Sequence, residues 1–234
     1  MTIGTKHIQI NNINWHCLSI FYARKNFAVL LDSINNFCEI NNNLLKHWSM
    51  YFSDDQGERV NLVFISEMRN SEKLIMMIEQ YFKKFLEEKP SEKTYSAASS
   101  SVFWLAYPNN SLVWNGFHIP DFLFDSQELR DFCQDTSLLI TNMYDAENSY
   151  EGNAVSIGLF LIVQAWKLQN IDLPKIANPE LAEIMQSYWE YDEKDCLASW
   201  LAHKNIADRT LMIRSNLNLS DEIFNLLGFK KETY

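Results

Sequence analysis

Apolar positions recur along the chain with two different periods, and the switch between them divides it. From Ile13 to Tyr22 the pattern alternates, with Trp15, Cys17 and Phe21 on one side and His16, Leu18 and Ile20 on the other. That is the two-residue period of a strand, and two largely apolar sides predict cover on both faces. From Asn26 to Leu45 the steps become three and four, through Phe27, Leu30, Leu31, Ile34, Phe37, Cys38 and Leu45. This predicts a helix with Asn26 as its N-cap. A strand pair follows. Trp48, Met50 and Phe52 alternate with Ser49 and Tyr51, and Asp54-Asp55-Gln56-Gly57 supplies turn residues. Then Val60, Leu62 and Phe64 point one way, and Arg59, Asn61, Val63 and Ile65 the other. The first of these faces belongs on a core. The second mixes a cation, an amide and aliphatics, and suits a pocket. A second helix is expected over 71–88, with a stripe of Leu74, Ile75, Ile78, Tyr81, Phe82 and Phe85 and with Ser71 as its cap.

Strand, helix, strand, strand, helix is most of a split βαβ, or ferredoxin-like, unit. Stretches 102–107 and 112–117, around the turn Pro108 to Ser111, read as further strands. They either complete the sheet or form a hairpin at its edge. From Ser126 the pattern is helical. One helix carries Leu129, Phe132, Cys133 and Thr136; a second, over 155–168, is apolar nearly all round. A third opens at Pro179 behind Asn178, with Leu181, Ile184, Met185, Tyr188 and Trp189 as its stripe. Further helices are expected from Asp192 or Asp195, and over 221–227 before Gly228. The expected fold is α+β, a single domain over 1–234. A ferredoxin-like sheet-forming half covers 1–120 and a helical half covers 121–234.

Composition narrows the function classes. Hydrophobic residues make up 47% of the 234 and aromatics 14%, enough for a packed core. A net charge of −10 opposes nucleic-acid binding, which needs clustered Lys and Arg. Cys17, Cys38, Cys133 and Cys196 are scattered, without zinc spacing, and read as buried thiols of a reducing cytoplasm. Met1 to Asn12 lacks an apolar signal core, and the run Val155 to Trp166 is too short to span a bilayer. A cytoplasmic protein with no membrane association is expected.

Six glycines leave no room for a phosphate-cradling loop, and no Gly-x-Ser-x-Gly elbow occurs. His7, His16, His47, His118 and His203 lack the spacing of a helical metal site. No metal and no cofactor are therefore expected. His203 is either a general acid or base or a partly exposed helix residue. Arg59 either binds a carboxylate or pairs with Glu58 or Asp55. Tyr144 to Gly152, by itself, is an acidic inter-helix loop. Trp104 and Trp114 are either core residues or exposed peptide-binding aromatics.

Four segments, in order, carry a resemblance: Trp15 to Tyr22; Trp48 to Phe64; Tyr144-x-x-Glu147-x-x-Tyr150-x-Gly152; and Ser199 with His203-Lys-Asn205. Together they resemble the small C-terminal, elimination-type domain of lanthipeptide dehydratases and its stand-alone relatives in thiopeptide-type bacteriocin biosynthesis. The resemblance implies tailoring of a ribosomally made, leader-bearing peptide. It implies either expulsion of glutamate from glutamylated Ser or Thr, or cyclisation of dehydroamino acids, without a cofactor. Eliminating members carry arginines along the strand after the Ser-Asp turn. Asn61 and Val63 stand there in this chain, and Ser149 replaces the arginine before the family's Tyr-Gly. One lost contact of that kind can cost about 3 kcal/mol of transition-state stabilisation. A lyase or cyclase is therefore expected in preference to an ordinary glutamate eliminase. The alternative is a non-catalytic peptide-binding or scaffolding partner of a larger dehydratase-like protein. The resemblance points to His203, Tyr144 and Tyr150 for proton transfer and to Arg59, Asn61, Glu147 and Trp48 for substrate binding. The implied partners are the precursor peptide and the larger protein, with a homodimer as a candidate assembly.

Overall fold

Among the described residues five strands pair into one antiparallel sheet, with the Ile13–Phe21 and Arg59–Glu67 strands at its centre. The computed structural model describes residues 8–10, 13–54, 56–92, 107–114, 127–168, 172–173 and 179–190. The strands are β1 (Ile8–Ile10), β2 (Ile13–Phe21), β3 (His47–Ser53), β4 (Arg59–Glu67) and β5 (Ser111–Trp114). The helices are α1 (Phe27–Ile40), α2 (Met68–Glu88), α3 (Gln127–Met143), α4 (Tyr150–Leu168) and α5 (Pro179–Glu190). Strand β4 lies between β2 and β3. The other edge of β2 is shared: β1 pairs its first half and β5 its second. The path β5-β2-β4-β3, with α1 and α2 as crossovers, is the split βαβ arrangement expected. Strand β5 completes the sheet.

Register decides what each face carries. Rows Leu18–Leu62–Met50, Ile20–Val60–Phe52 and His16–Phe64–Trp48 share one face. Helices α1 and α2 pack there. Phe27 of α1 stacks on Phe52 at 5.3 Å, and His16 Nε2 meets Ser71 Oγ of α2 at 2.8 Å. The opposite face holds Trp15–Ile65–His47, Cys17–Val63–Ser49, Ser19–Asn61–Tyr51 and Phe21–Arg59–Ser53. At the β3–β4 turn, Gln56 and Gly57 take positive φ of 65° and 132°. A Cβ on Gly57 would stand 3.1 Å from the Phe21 ring, so the turn needs glycine twice over.

Several boundaries differ from the sequence pattern. Helix α1 ends at Ile40 rather than Leu45, because Asn41 Nδ2 donates to the Phe37 carbonyl at 2.8 Å and closes the last turn. Asn26 occupies the N-cap position of α1 without a side-chain cap bond. Ser71 lies inside α2, which begins at Met68, and its hydroxyl serves His16 instead of capping. Helix α4 begins at Tyr150, ahead of the apolar run, because Ser149 Oγ accepts the Gly152 N–H at 3.0 Å as an N-cap. Helix α3 runs along the outer edge of β3. Gln134 Oε1 accepts the Trp48 N–H at 3.2 Å and Ser137 Oγ accepts that of Met50 at 2.9 Å. Side chains of a helix thus occupy edge donors that would otherwise pair with another strand. Helices α4 and α5 join through Ser156 and Tyr188, whose hydroxyls lie 2.7 Å apart, and through Leu159, Val163 and Met185.

The expected strand over 102–107 and the rest of 112–117 fall largely outside the described residues, as do the expected helices beyond 190. Cys17, Cys38 and Cys133 are buried thiols; Cys196 lies outside the described residues. Among the described residues, no helix is long and apolar enough to cross a membrane.

Candidate functional site

Two polar clusters lie at the turn end of the sheet, one on the face opposite α1 and α2 and one where the N-terminus of α4 meets the β3–β4 turn. The first is built by cross-strand register. Asn61 of β4 stands between Ser19 of β2 and Tyr51 of β3. Asn61 Oδ1 accepts from Ser19 Oγ at 2.6 Å and from Arg59 Nε at 3.2 Å. The Arg59 guanidinium lies 5.7 Å from the Phe21 ring centre, and only 3% of the residue is exposed. Cys17 Sγ and the Tyr51 hydroxyl are 3.9 Å apart. Burial pushes the Cys17 thiol up to about 11 and raises the Tyr51 phenol as well. Both groups therefore keep their protons near neutrality and offer S–H and O–H rather than anions. This cluster joins a guanidinium, an amide, a hydroxyl, a phenol and a thiol, a set that can hold a carbonyl or a carboxylate.

The second cluster gathers around Arg24. Its Nη2 meets Asp54 Oδ2 at 2.7 Å, and its guanidinium lies over the Tyr150 ring at 4.4 Å. Its backbone N–H donates to Glu58 Oε2 at 2.9 Å, and Glu151 approaches at 3.9 Å. Tyr150 is buried edge-on against Phe27 and Phe52, with ring centres 5.8 and 5.4 Å away. Tyr144 is half-buried beside Phe52. Burial pushes the Tyr144 phenol up to about 12, against a hydrogen bond from Asn153. Burial raises Tyr150 too, against the pull of Arg24. Both tyrosines are therefore proton or hydrogen-bond donors at neutral pH, not bases.

The sequence-derived site residues divide between these clusters. Arg59 and Asn61 stand together on the face opposite α1 and α2; Tyr144 and Tyr150 stand together beside Arg24. Glu147 is exposed in the α3–α4 loop, where its N–H donates to Asp145 Oδ1 at 2.9 Å. Trp48 points to the helix-covered face and is 8% exposed. His203, with Ser199 and Asn205, lies outside the described residues, as does Trp104. Trp114 is half-buried with its edge toward Phe64 at 5.8 Å. Arg24, Asp54, Ser19, Tyr51 and Cys17 were not singled out from the sequence. Ser19, Tyr51 and Cys17 had a signal in the alternation of β2 and β3, but only register joins them to Asn61. Among the described residues, no three His, Cys, Asp or Glu side chains gather as a metal site requires.

No protein-family model matches the chain, and no curated protein matches its sequence. Solved structures share its fold. Pyridine synthase TbtD from thiomuracin biosynthesis superposes with a TM-score of 0.57 at 12% identity, over 91% of this chain and 94% of TbtD. The tRNA dependent lantibiotic dehydratase MibB from Microbispora sp. 107891 superposes with a TM-score of 0.51 at 11% identity. That match takes in 92% of this chain but 27% of MibB, so the chain spans about a quarter of the dehydratase. The chain therefore has a fold found in a pyridine synthase of thiomuracin biosynthesis and within a lantibiotic dehydratase.

Proposed function

We propose that the chain tailors a ribosomally made, leader-bearing peptide by cofactor-free elimination or cyclisation of dehydroamino acids, with cyclisation favoured. The observation that carries this reading is the near end-to-end likeness to pyridine synthase TbtD, over 91% of one chain and 94% of the other. In the proposed chemistry Tyr144 and Tyr150 donate protons, consistent with their raised phenols. His203 is the proposed base. Arg59 and Asn61 position a carbonyl or carboxylate, and Glu147 and Trp48 contact the peptide. In an elimination the base takes the α-proton, its electron pair forms the carbon–carbon double bond, and the leaving group departs from the β-carbon as an anion. That anion needs cations at the moment it forms. On its side opposite α1 and α2, β4 presents Arg59, then Asn61, Val63 and Ile65. Such a wall supports carboxylate expulsion poorly. Joining residues that are already dehydrated expels no carboxylate and makes no such demand.

The same Asn61 and Val63 favour a second reading, a non-catalytic peptide-binding partner of a larger dehydratase-like protein. In either reading the protein works in the cytoplasm on a precursor peptide, and a homodimer is a candidate state. Intact mass spectrometry of the precursor, incubated in unmodified, glutamylated and dehydrated forms, tests both. Leader release with a ring-sized mass change from the dehydrated form alone is expected. Loss of glutamate would make the protein an eliminase. Binding with no mass change in any form would favour the scaffold. Unchanged product formation by both His203→Ala and Tyr150→Phe would remove those residues from the site.

A further inference from the structure

The link between β2 and α1 carries Arg24, and two other segments hold its backbone. The Tyr22 N–H donates to the Glu58 carbonyl at 3.1 Å, and the Arg24 N–H to Glu58 Oε2 at 2.9 Å. The Ala23 N–H donates to Ser91 Oγ at 2.9 Å, and Ser91 is itself bonded to Asn109 and Asn110 of the turn before β5. The Asn26 N–H closes on the Ala23 carbonyl at 2.9 Å. The Arg24 side chain is then fixed at its tip. Its Nη2 pairs with Asp54 Oδ2 at 2.7 Å, and its guanidinium carbon stands 4.4 Å from the centre of the Tyr150 ring. Phe27 and Phe52 meet the same ring edge-on. Tyr150 is therefore clamped between two aromatic neighbours and a cation.

A cation over the face of an aromatic ring is attracted by the ring's electrons. That attraction grows when the ring belongs to a phenol giving up its proton. The O–H bond breaks, its electron pair stays on the Tyr150 oxygen, and the proton passes to the substrate. Negative charge then spreads into the ring that the guanidinium covers. The groups facing Tyr150 from other elements act differently. Asp54 of the β3–β4 turn and Glu151 of α4 are carboxylates, and Tyr144 after α3 is a second phenol. Each opposes charge on Tyr150, whereas Arg24 favours it. Phe27 of α1 and Phe52 of β3 are apolar. Without Arg24 the phenol would face two carboxylates with no guanidinium to balance them.

We propose that Arg24 is the positioning residue of Tyr150: it holds the ring in place and stabilises the negative charge that grows there as the phenol donates its proton. The proposal rests on the peptide-tailoring reading, in which Tyr150 is a proton donor, and adds the residue on which that donor depends. Arg24 acts through Tyr150 and not by touching the peptide.

The test is a double-substitution cycle in the full chain, with the dehydrated precursor as substrate. The saturated rate and the half-saturating precursor concentration are measured for Arg24→Met, Arg24→Lys, Tyr150→Phe and the two combinations. Arg24→Met should lower the saturated rate about tenfold, the loss of one cation over a ring, and leave the half-saturating concentration unchanged. Arg24→Lys keeps the charge but not the flat guanidinium, and should lose only about threefold. In the Tyr150→Phe background neither substitution should cost anything further, because the two residues act as one unit. The unfolding midpoint of Arg24→Met should stay close to that of the unaltered chain, since partly exposed ion pairs contribute little. Should Arg24→Met fail to fold, the cycle with Arg24→Lys decides alone. If the Arg24 substitutions cost as much in the Tyr150→Phe background as in the native one, Arg24 does not act through Tyr150 and the proposal is refuted while the tailoring reading stands. A raised half-saturating concentration at an unchanged rate refutes it too, since Arg24 would then be a peptide contact. If the unaltered chain forms no product from any form of the precursor, the tailoring reading falls and the role of Arg24 with it.

Discussion

The two faces of the β2–β4–β3 sheet are equally hidden and differently built. On the helix side Leu18, Ile20, Val60, Leu62, Phe64, Met50 and Phe52 are at most 3% exposed, and α1 and α2 seal them with Phe27, Leu30, Leu74 and Ile78. On the other side Ser19, Asn61, Ser49, His47 and Arg59 are also at most 3% exposed. Burial of the first set stabilises the fold in proportion to apolar area. Burial of the second set works against it, a cost offset where Ser19, Asn61 and Arg59 bond one another. Val or Leu at 49 and 61 would have avoided that cost.

That contrast can be broken at graded cost. Phe52→Ala should be the most damaging, because it opens a cavity between Phe27, Tyr144 and Tyr150. We expect a loss of about 3–5 kcal/mol, read from the urea midpoint. Acid should act next, and from the polar face. The His47 ring is depressed from 6.5 to about 3, chiefly by burial, so the unfolded chain takes up a proton that the folded chain refuses. The associated stability is complete above the unfolded value and is lost progressively as pH falls toward the folded one. Between about pH 7 and about pH 5 the loss should be roughly 2 kcal/mol, and His47→Phe should flatten that part of the profile. Ser137→Ala should cost about 1–3 kcal/mol, since it strips the buried Met50 N–H of its acceptor at the β3 edge. Ser49→Ala should have the smallest effect and the opposite sign. Removing a buried hydroxyl without a partner should raise stability by up to about 1 kcal/mol. A destabilised Ser49→Ala would mean that the two faces do not differ as described.

Much of the sheet was legible because strand periodicity is local. The alternation of Trp48, Met50 and Phe52 against Ser49 and Tyr51 appears as the two faces of β3, and Arg59 and Asn61 share the side assigned to them. Caps were less legible, because one hydroxyl can serve several partners. Ser71 reads as a cap but bonds His16, whereas Ser149 reads as loop and caps α4. Arg24 carried no signal at all; its neighbours Asp54 and Tyr150 come from a turn and a helix far along the chain.

The sequence by itself determined the α+β class, the order of strands and helices from β2 through α2, and which side of β4 would be polar; β1 it did not show. These follow from side-chain periodicity, which each segment carries without reference to the others. Tertiary structure alone decided that Ser19 and Tyr51 flank Asn61, that Arg24 covers Tyr150, and that His47 and Ser49 are buried without partners. Those outcomes depend on strand register and helix docking. Both are set by the packing of the whole core, and no single segment encodes them.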